Sequence, residues 1–178
     1  MTWSDITGGW DKMSIATRFR DKYIVAPFDK VLELSGYDLS KKCAVDLTWG
    51  TISKESEFVH LRQEGIIDLE GDVGAFGLPQ SELVSHNNVI KKLELNHQKL
   101  LEAVQSFYWH EEDLKFNLMF NFEYSVLICR CLYYTWNSPL PEAGDLKGMA
   151  AYWNEKYNRN DKHGTDQQFI NNFRKYCK

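Results

Sequence analysis

The chain has no run of basic residues, no closely paired cysteines of the CxxC kind, no long unbroken apolar stretch and only four prolines in 178 residues. Each of these absences excludes something. A formal charge of −4 without a Lys/Arg cluster lacks the footprint of a protein that holds nucleic acid by neutralising phosphates. Cys43, Cys129, Cys131 and Cys177 have neither zinc-ligand spacing nor a His pair beside them. No metal or organic cofactor is therefore expected, and all four cysteines read as reduced thiols. The most apolar stretch, Phe116 to Trp136, is interrupted by Asn117, Asn121, Glu123 and Arg130, so it reads as a buried helix and not a membrane span. The opening MTWSDITGGWDKMS has no basic segment followed by an apolar core, and no signal peptide is expected. There is no internal repeat, low-complexity tract or linker.

What is present is the composition of a folded domain. Apolar residues make up 43% and aromatics 14%, which excludes a disordered chain. A mass of 20.8 kDa suits one domain over residues 1–178, with 1–12 read as an extension. Six Trp and nine Tyr exceed what a core of this size needs. Most read as core aromatics with their polar tips paired, and the remainder as platforms on which sugar rings stack.

Turn residues divide the chain into mostly helical segments. Helical spacing covers about 13–24 and 27–35, with Pro27 placed to start the second and Gly36 to stop it. Ser40 is the expected N-cap of a helix running to Glu55, whose inward face carries Cys43, Leu47 and Ile52. From Glu64 to Leu78 the periodicity is lost and four glycines appear, the pattern of an irregular lobe or short hairpin. Helix returns around 80–93 and 96–109. The segment Phe116 to Trp136 is apolar on nearly every side, as a single central helix would be. Asn137-Ser138-Pro139-Leu140-Pro141 ends it, and two last helices follow at about 145–157 and 165–176, the second capped by Thr165. The expected fold class is mostly α with a small irregular or β lobe.

One carboxylate and one glycine turn stand out. Glu55 closes an apolar helix, where burial and the helix's C-terminal carbonyls both oppose ionisation of its side chain. A carboxylic acid kept protonated in this way can deliver a proton to a glycosidic oxygen. Some twenty residues later, Gly74-Ala75-Phe76-Gly77-Leu78-Pro79-Gln80 allows a polymer to pass close to backbone. A solvated helix-end carboxylate is the plainer alternative for Glu55.

Glu55-Ser56 followed by Gly74-Ala75-Phe76-Gly77-Leu78-Pro79-Gln80 resembles the soluble lytic transglycosylase and goose-type lysozyme group. Its signature is a catalytic Glu-Ser and then Gly-Ala-x-Gly-Leu-x-Gln. Asn117 to Tyr124 resembles the third motif, and Ala150-Ala151-Tyr152-Trp153 with Tyr157-Asn158 is similar to the closing Ala-Ala-Tyr-Asn element. More closely, Asp145 to Trp153, Tyr157-Asn158, Gly164-Thr165 and Phe169-Ile170 look like bacteriophage members of this superfamily. The likeness extends over about residues 20–176. Pro79 departs from it, standing where relatives have Met or an aromatic, and Glu64 to Asp72 is more acidic than in many of them.

The resemblance implies a lysozyme-like domain that cleaves the MurNAc-GlcNAc β-1,4 bond of peptidoglycan glycan strands, with Glu55 as both acid and base. It implies that Gln80, Gly74, Gly77 and Ser56 contact substrate and that Tyr124, Tyr152 and Tyr157 line the cleft. A hydrolytic muramidase on the same scaffold would add an accessory carboxylate, for which Asp68 and Asp72 are the candidates. A virion protein that keeps the scaffold without activity is the non-enzymatic alternative. Two settings fit: an endolysin held in the host cytoplasm, or a virion component packed beside other virion proteins. Either would act in the periplasm or cell wall.

Other residues carry less. His60 and His86 read first as surface or packing histidines. His110-Glu111-Glu112-Asp113 lacks an i, i+4 His pair and reads as a charge cluster at a helix start. Ser56 has no activating His or Lys at a diagnostic spacing and reads as a packing or capping group rather than a nucleophile.

Overall fold

The structure, a computed structural model, describes residues 15–61, 74–159 and 164–177. Its first helical run is continuous: α1 (Ile15–Arg20), a wide turn over Asp21–Val25 and α2 (Ala26–Ser35). Pro27 stands in the first turn of α2, as expected, although α2 follows the wide turn without a break. Pro27 has no N–H to offer the carbonyl of Tyr23, and its ring would crowd that carbonyl in a regular α-turn. The helix is widened to a π-type turn immediately before it. The run stops at Gly36 as expected, where the Gly36 N–H returns to the Leu32 carbonyl at 2.8 Å.

The next helix, α3 (Lys42–Ser56), is the most buried in its middle, from Ala44 to Ser53. Ser40 is not its cap. The Ser40 N–H and hydroxyl both turn back to Asp38 Oδ1, at 2.9 and 3.1 Å, and Lys41 occupies the cap position without a side-chain bond. A carboxylate two residues away outcompetes the helix terminus for a short polar side chain. One face of α3 receives the last helix, α9 (Asp166–Tyr176): a Cβ on Gly50 would overlap the Phe169 ring, and Asn172 donates to the Ser53 carbonyl at 2.9 Å. Thr165 caps α9 as expected, in a reciprocal capping box with Gln168.

The expected β lobe is a minimal hairpin, β1 (Ala75–Phe76) antiparallel to β2 (Ser81–Glu82), with Ala75 opposite Glu82 and Phe76 opposite Ser81. Residues 62–73, which include most of the expected irregular segment, lie outside the described residues. Two helices follow, α4 (Leu83–Asn96) and α5 (Gln98–Gln105).

The single central helix expected from Phe116 to Trp136 is two helices, α6 (Leu114–Phe120) and α7 (Phe122–Tyr134), separated by Asn121. Asn121 leaves helical geometry (φ −88, ψ 84) and caps α7 by accepting from the Tyr124 N–H at 3.1 Å. Its amide also donates to the Phe107 carbonyl at 2.6 Å and to Asn117 Oδ1 at 3.1 Å. Both halves are apolar, so periodicity runs through the break; the competing cap is what divides them. Asp113, the end of the His-Glu-Glu-Asp run, caps α6 through the Phe116 N–H at 2.7 Å.

The chain is mostly helical, with helix α7 at the centre of two apolar clusters. Ile128 and Leu127 lie in the larger, with Phe28, Ile52, Leu93 and Leu100. Cys129 and Tyr133, on another side of the same helix, lie in the smaller, with Leu47, Trp153 and Phe169 from α3, α8 (Leu146–Lys156) and α9. Arg130 is also buried, its Nε 3.5 Å from the Leu39 carbonyl. All four cysteines are free thiols. No helix among the described residues is long and apolar enough to cross a membrane.

Candidate functional site

Glu55 lies in the last turn of α3, one residue before its end, where the chain turns into left-handed geometry at Glu57 (φ 49) and Phe58 (φ 63). Helix α8 meets it from the side. The Trp153 indole N–H donates to Glu55 Oε1 at 2.8 Å, joining residues 98 positions apart in sequence. Trp153 is fully buried against Phe169, with ring centroids 5.5 Å apart, so the indole has little freedom to move away. The ammonium of Lys54 lies over the other part of this arrangement, 5.2 Å from the Trp153 ring.

Burial dominates the electrostatics. Loss of water around Glu55 pushes its carboxyl above the ordinary value, while the Lys54 charge and the Trp153 N–H pull the other way and only partly offset it. The acid is therefore held in its protonated form to higher pH than a surface glutamate, with one oxygen fixed by the indole.

Near the carboxyl is a group of buried polar side chains. Thr51, one helical turn before Glu55, gives its hydroxyl proton to the Leu47 carbonyl at 2.9 Å and shares a 2.7 Å hydrogen bond with the Tyr133 phenol. Tyr157 packs on Tyr133 (centroids 5.6 Å) and donates its own hydroxyl to the Pro79 carbonyl at 2.6 Å. Burial, and the nearness of Glu55, raise the pKa values of Cys129, Tyr133 and Tyr157. These groups are thus neutral neighbours of the Glu55 carboxyl near neutral pH.

The glycine turn is held by its own residues. Gly77 (φ 73) donates its N–H to the Leu61 carbonyl at 2.8 Å, and a Cβ there would overlap the Leu118 carbonyl of α6. Gln80, also left-handed (φ 52), donates its side-chain amide to the carbonyls of Gly77 (2.7 Å) and His60 (3.0 Å). Gln80 thereby ties the segment just after Glu55 to the hairpin. The Tyr157 bond to Pro79 fixes the same turn from α8, so the turn and Glu55 share one frame.

The expected site residues separate into three groups. Glu55, Tyr157 and the turn containing Gly74, Gly77 and Gln80 are brought together through Trp153 and Pro79. Ser56, Tyr124 and Tyr152 are buried and internally paired. Ser56 donates to the Ile52 carbonyl (3.1 Å) and accepts from the Phe58 N–H (3.2 Å), closing the helix end. Tyr152 bonds Ser138 Oγ at 3.1 Å. Tyr124, 2% exposed, bonds His86 Nε2 at 2.8 Å. The phenols of Tyr124 and Tyr152 are thus engaged inside the protein, and His86 is a packing histidine. Asp68 and Asp72 lie outside the described residues. Glu57 is exposed and engaged by the Tyr176 hydroxyl (2.6 Å) and Lys175 (3.6 Å), which hold its carboxyl below the usual range.

Trp153, Tyr133, Thr51 and Cys129 were not foreseen as site residues. A helical turn separates Thr51 from Glu55, which was a usable signal; the contacts from α7 and α8 are long-range and left none. Among the described residues no group of three or more His, Cys, Asp or Glu is arranged to hold a metal ion. Comparison of the chain with family models, with curated proteins and with solved structures finds no match.

Proposed function

We propose that this protein is a lysozyme-like lytic transglycosylase that cleaves the MurNAc-GlcNAc bond of peptidoglycan glycan strands. The observation that carries the reading is the Glu55 carboxyl: buried so that its pKa is raised, fixed at one oxygen by Trp153, and tied through α8 to the same frame as the glycine turn. The order of the motifs in the sequence supports it.

In this reaction Glu55 gives its proton to the glycosidic oxygen as the bond from that oxygen to C1 breaks. The 2-acetamido group of the same MurNAc ring shares the positive charge left at C1. Glu55, now a carboxylate, takes the proton from the C6 hydroxyl, and O6 closes on C1 to give a 1,6-anhydro ring. One carboxylate serves both steps, and the proton that entered the leaving sugar is replaced by the one from O6. The Trp153 N–H stabilises the carboxylate between the two steps, when the charge is present. Gly74, Gly77 and Gln80 belong to the turn that would meet the acetamido groups. The strand would be reached from the virion or from the host cytoplasm, with the action at the wall.

Mass spectrometry of peptidoglycan digested with wild type and with Glu55→Gln tests the reading. Anhydromuropeptides from wild type alone are expected. Reducing ends would replace it with hydrolysis and direct attention to Asp68 and Asp72; no product from folded wild type on several wall types would favour a non-enzymatic virion protein.

A further inference from the structure

We propose that a groove between α4, the end of α7 and the end of α8 binds a short peptide carrying carboxylates, the acidic stem attached to the glycan. The inference rests on the reading above for the identity of the ligand, and on the groove's own chemistry for the class.

The groove has a volume of about 430 Å³, in the range of small-ligand sites. Lys91, Lys92, Lys156 and Arg159 line it; among the described residues its lining has no Asp or Glu, although Glu155 reaches Lys156 from beside it. Trp136, 39% exposed, stands among them, with the Lys92 and Lys156 ammonium groups 5.2 and 4.9 Å from its ring. Val89 and Leu132 supply apolar surface beside it. Lys92 and Lys156 meet at the Trp136 ring, and Lys156 is already paired with Glu155 at 2.6 Å, which leaves Lys91, Lys92 and Arg159 as the net positive charge of the lining.

Arg159 is held unusually. Its backbone is left-handed (φ 55), a conformation that is costly for a residue with a side chain, and one guanidinium nitrogen donates to Ser85 Oγ at 2.9 Å. A guanidinium has five N–H donors, so this bond orients the fork and leaves capacity for a carboxylate.

Size and charge select the ligand. A long polyanion would meet the negative field of the whole chain beyond the groove, whereas a short one with a few carboxylates stays within reach of the four cations. Aliphatic and indole surface between the cations suits the carbon skeleton of a peptide better than a bare inorganic anion. Placement agrees: Arg159 is two residues past Tyr157, which bonds Pro79 of the turn, and Ser85 is four past Ser81 of β2, which lies 3.4 Å from the Tyr157 hydroxyl.

The test is an NMR titration of the full chain carrying Glu55→Gln, which prevents turnover, read at the Trp136 indole N–H. The probes are N-acetylmuramyl-L-alanyl-D-glutamic acid, its fully amidated counterpart, and inorganic phosphate. Saturable shifts with the acid are expected, at least about ten-fold weaker with the amide and with the K92Q/R159Q variant, whose altered side chains are exposed. Absence of shifts, equal binding of the amide, unchanged binding by the variant, or tighter binding of phosphate would each overturn the proposal. Cleavage of peptide-bearing and peptide-stripped glycan by wild type is measured in parallel. Binding without cleavage of either glycan would overturn the catalytic reading and uphold the groove as an acidic-peptide site; cleavage without binding would overturn the groove alone.

Discussion

The indole N–H of Trp153 donates to Glu55 Oε1 at 2.8 Å, so a fully buried tryptophan of α8 fixes one oxygen of a helix-end carboxyl. Removing the donor should move the acid. Trp153→Phe takes away a bond that favours the carboxylate, so the Glu55 pKa should rise further. The high-pH limb of a pH–rate profile should shift upward and the maximal rate fall about ten-fold, as the conjugate base loses its support. A profile that keeps its position would remove Trp153 from the mechanism.

Glu55→Gln should reduce strand cleavage by roughly 10³-fold while leaving the fold intact. It should also change stability in a pH-dependent way. A carboxyl whose pKa is raised on folding binds its proton more tightly in the folded state, so its contribution is complete below the ordinary value of 4.5 and is lost as pH rises through the raised value. The variant should therefore be more stable than wild type at pH 7 and no different near pH 4, measured by urea unfolding at both.

His86 gives the opposite slope. Burial holds its pKa below the ordinary 6.5, against the bond from Asn87 that favours the cation, and its Nε2 bonds the Tyr124 phenol. The stability it contributes is present above pH 6.5 and is lost as pH falls through the depressed value. Thermal melts of wild type and His86→Gln across pH 5–8 should show a decline on the acid side in wild type that the variant lacks.

Gly77→Ala should be costly. The left-handed backbone (φ 73) and the approach of the Leu118 carbonyl leave no place for a Cβ, so the hairpin must separate from α6. A loss of roughly 2–4 kcal/mol is expected from chemical denaturation. A neutral outcome would show that the turn can move independently of α6.

Thr51→Val keeps the shape of the buried group near Glu55 but leaves the fully buried Tyr133 phenol without its partner. The expected loss is about 1–2 kcal/mol, with Tyr133→Phe combined in the same chain recovering most of it. A double variant no more stable than Thr51→Val alone would place the role of that bond elsewhere.

Much of this molecule was legible in one dimension because the relevant physics is local. Helical periodicity, the stop at Gly36 and the Thr165 capping box depend on residues within a turn or two of one another. The burial of the Glu55 carboxyl was legible for the same reason, through the apolar helix it closes. Where a local rule had a local rival, the structure differs: Ser40 bonds Asp38 and not the helix end, and Asn121 caps a new helix inside an apolar run. The tertiary structure alone decided which oxygen of Glu55 is held, that Tyr133 and Tyr157 stand near it while Tyr124 and Tyr152 close the core, and that cations from α4, α8 and the residues after it meet around Trp136. Those relations join residues tens of positions apart, and the packing that brings them together depends on the shapes of several helices at once, which no spacing along the chain records.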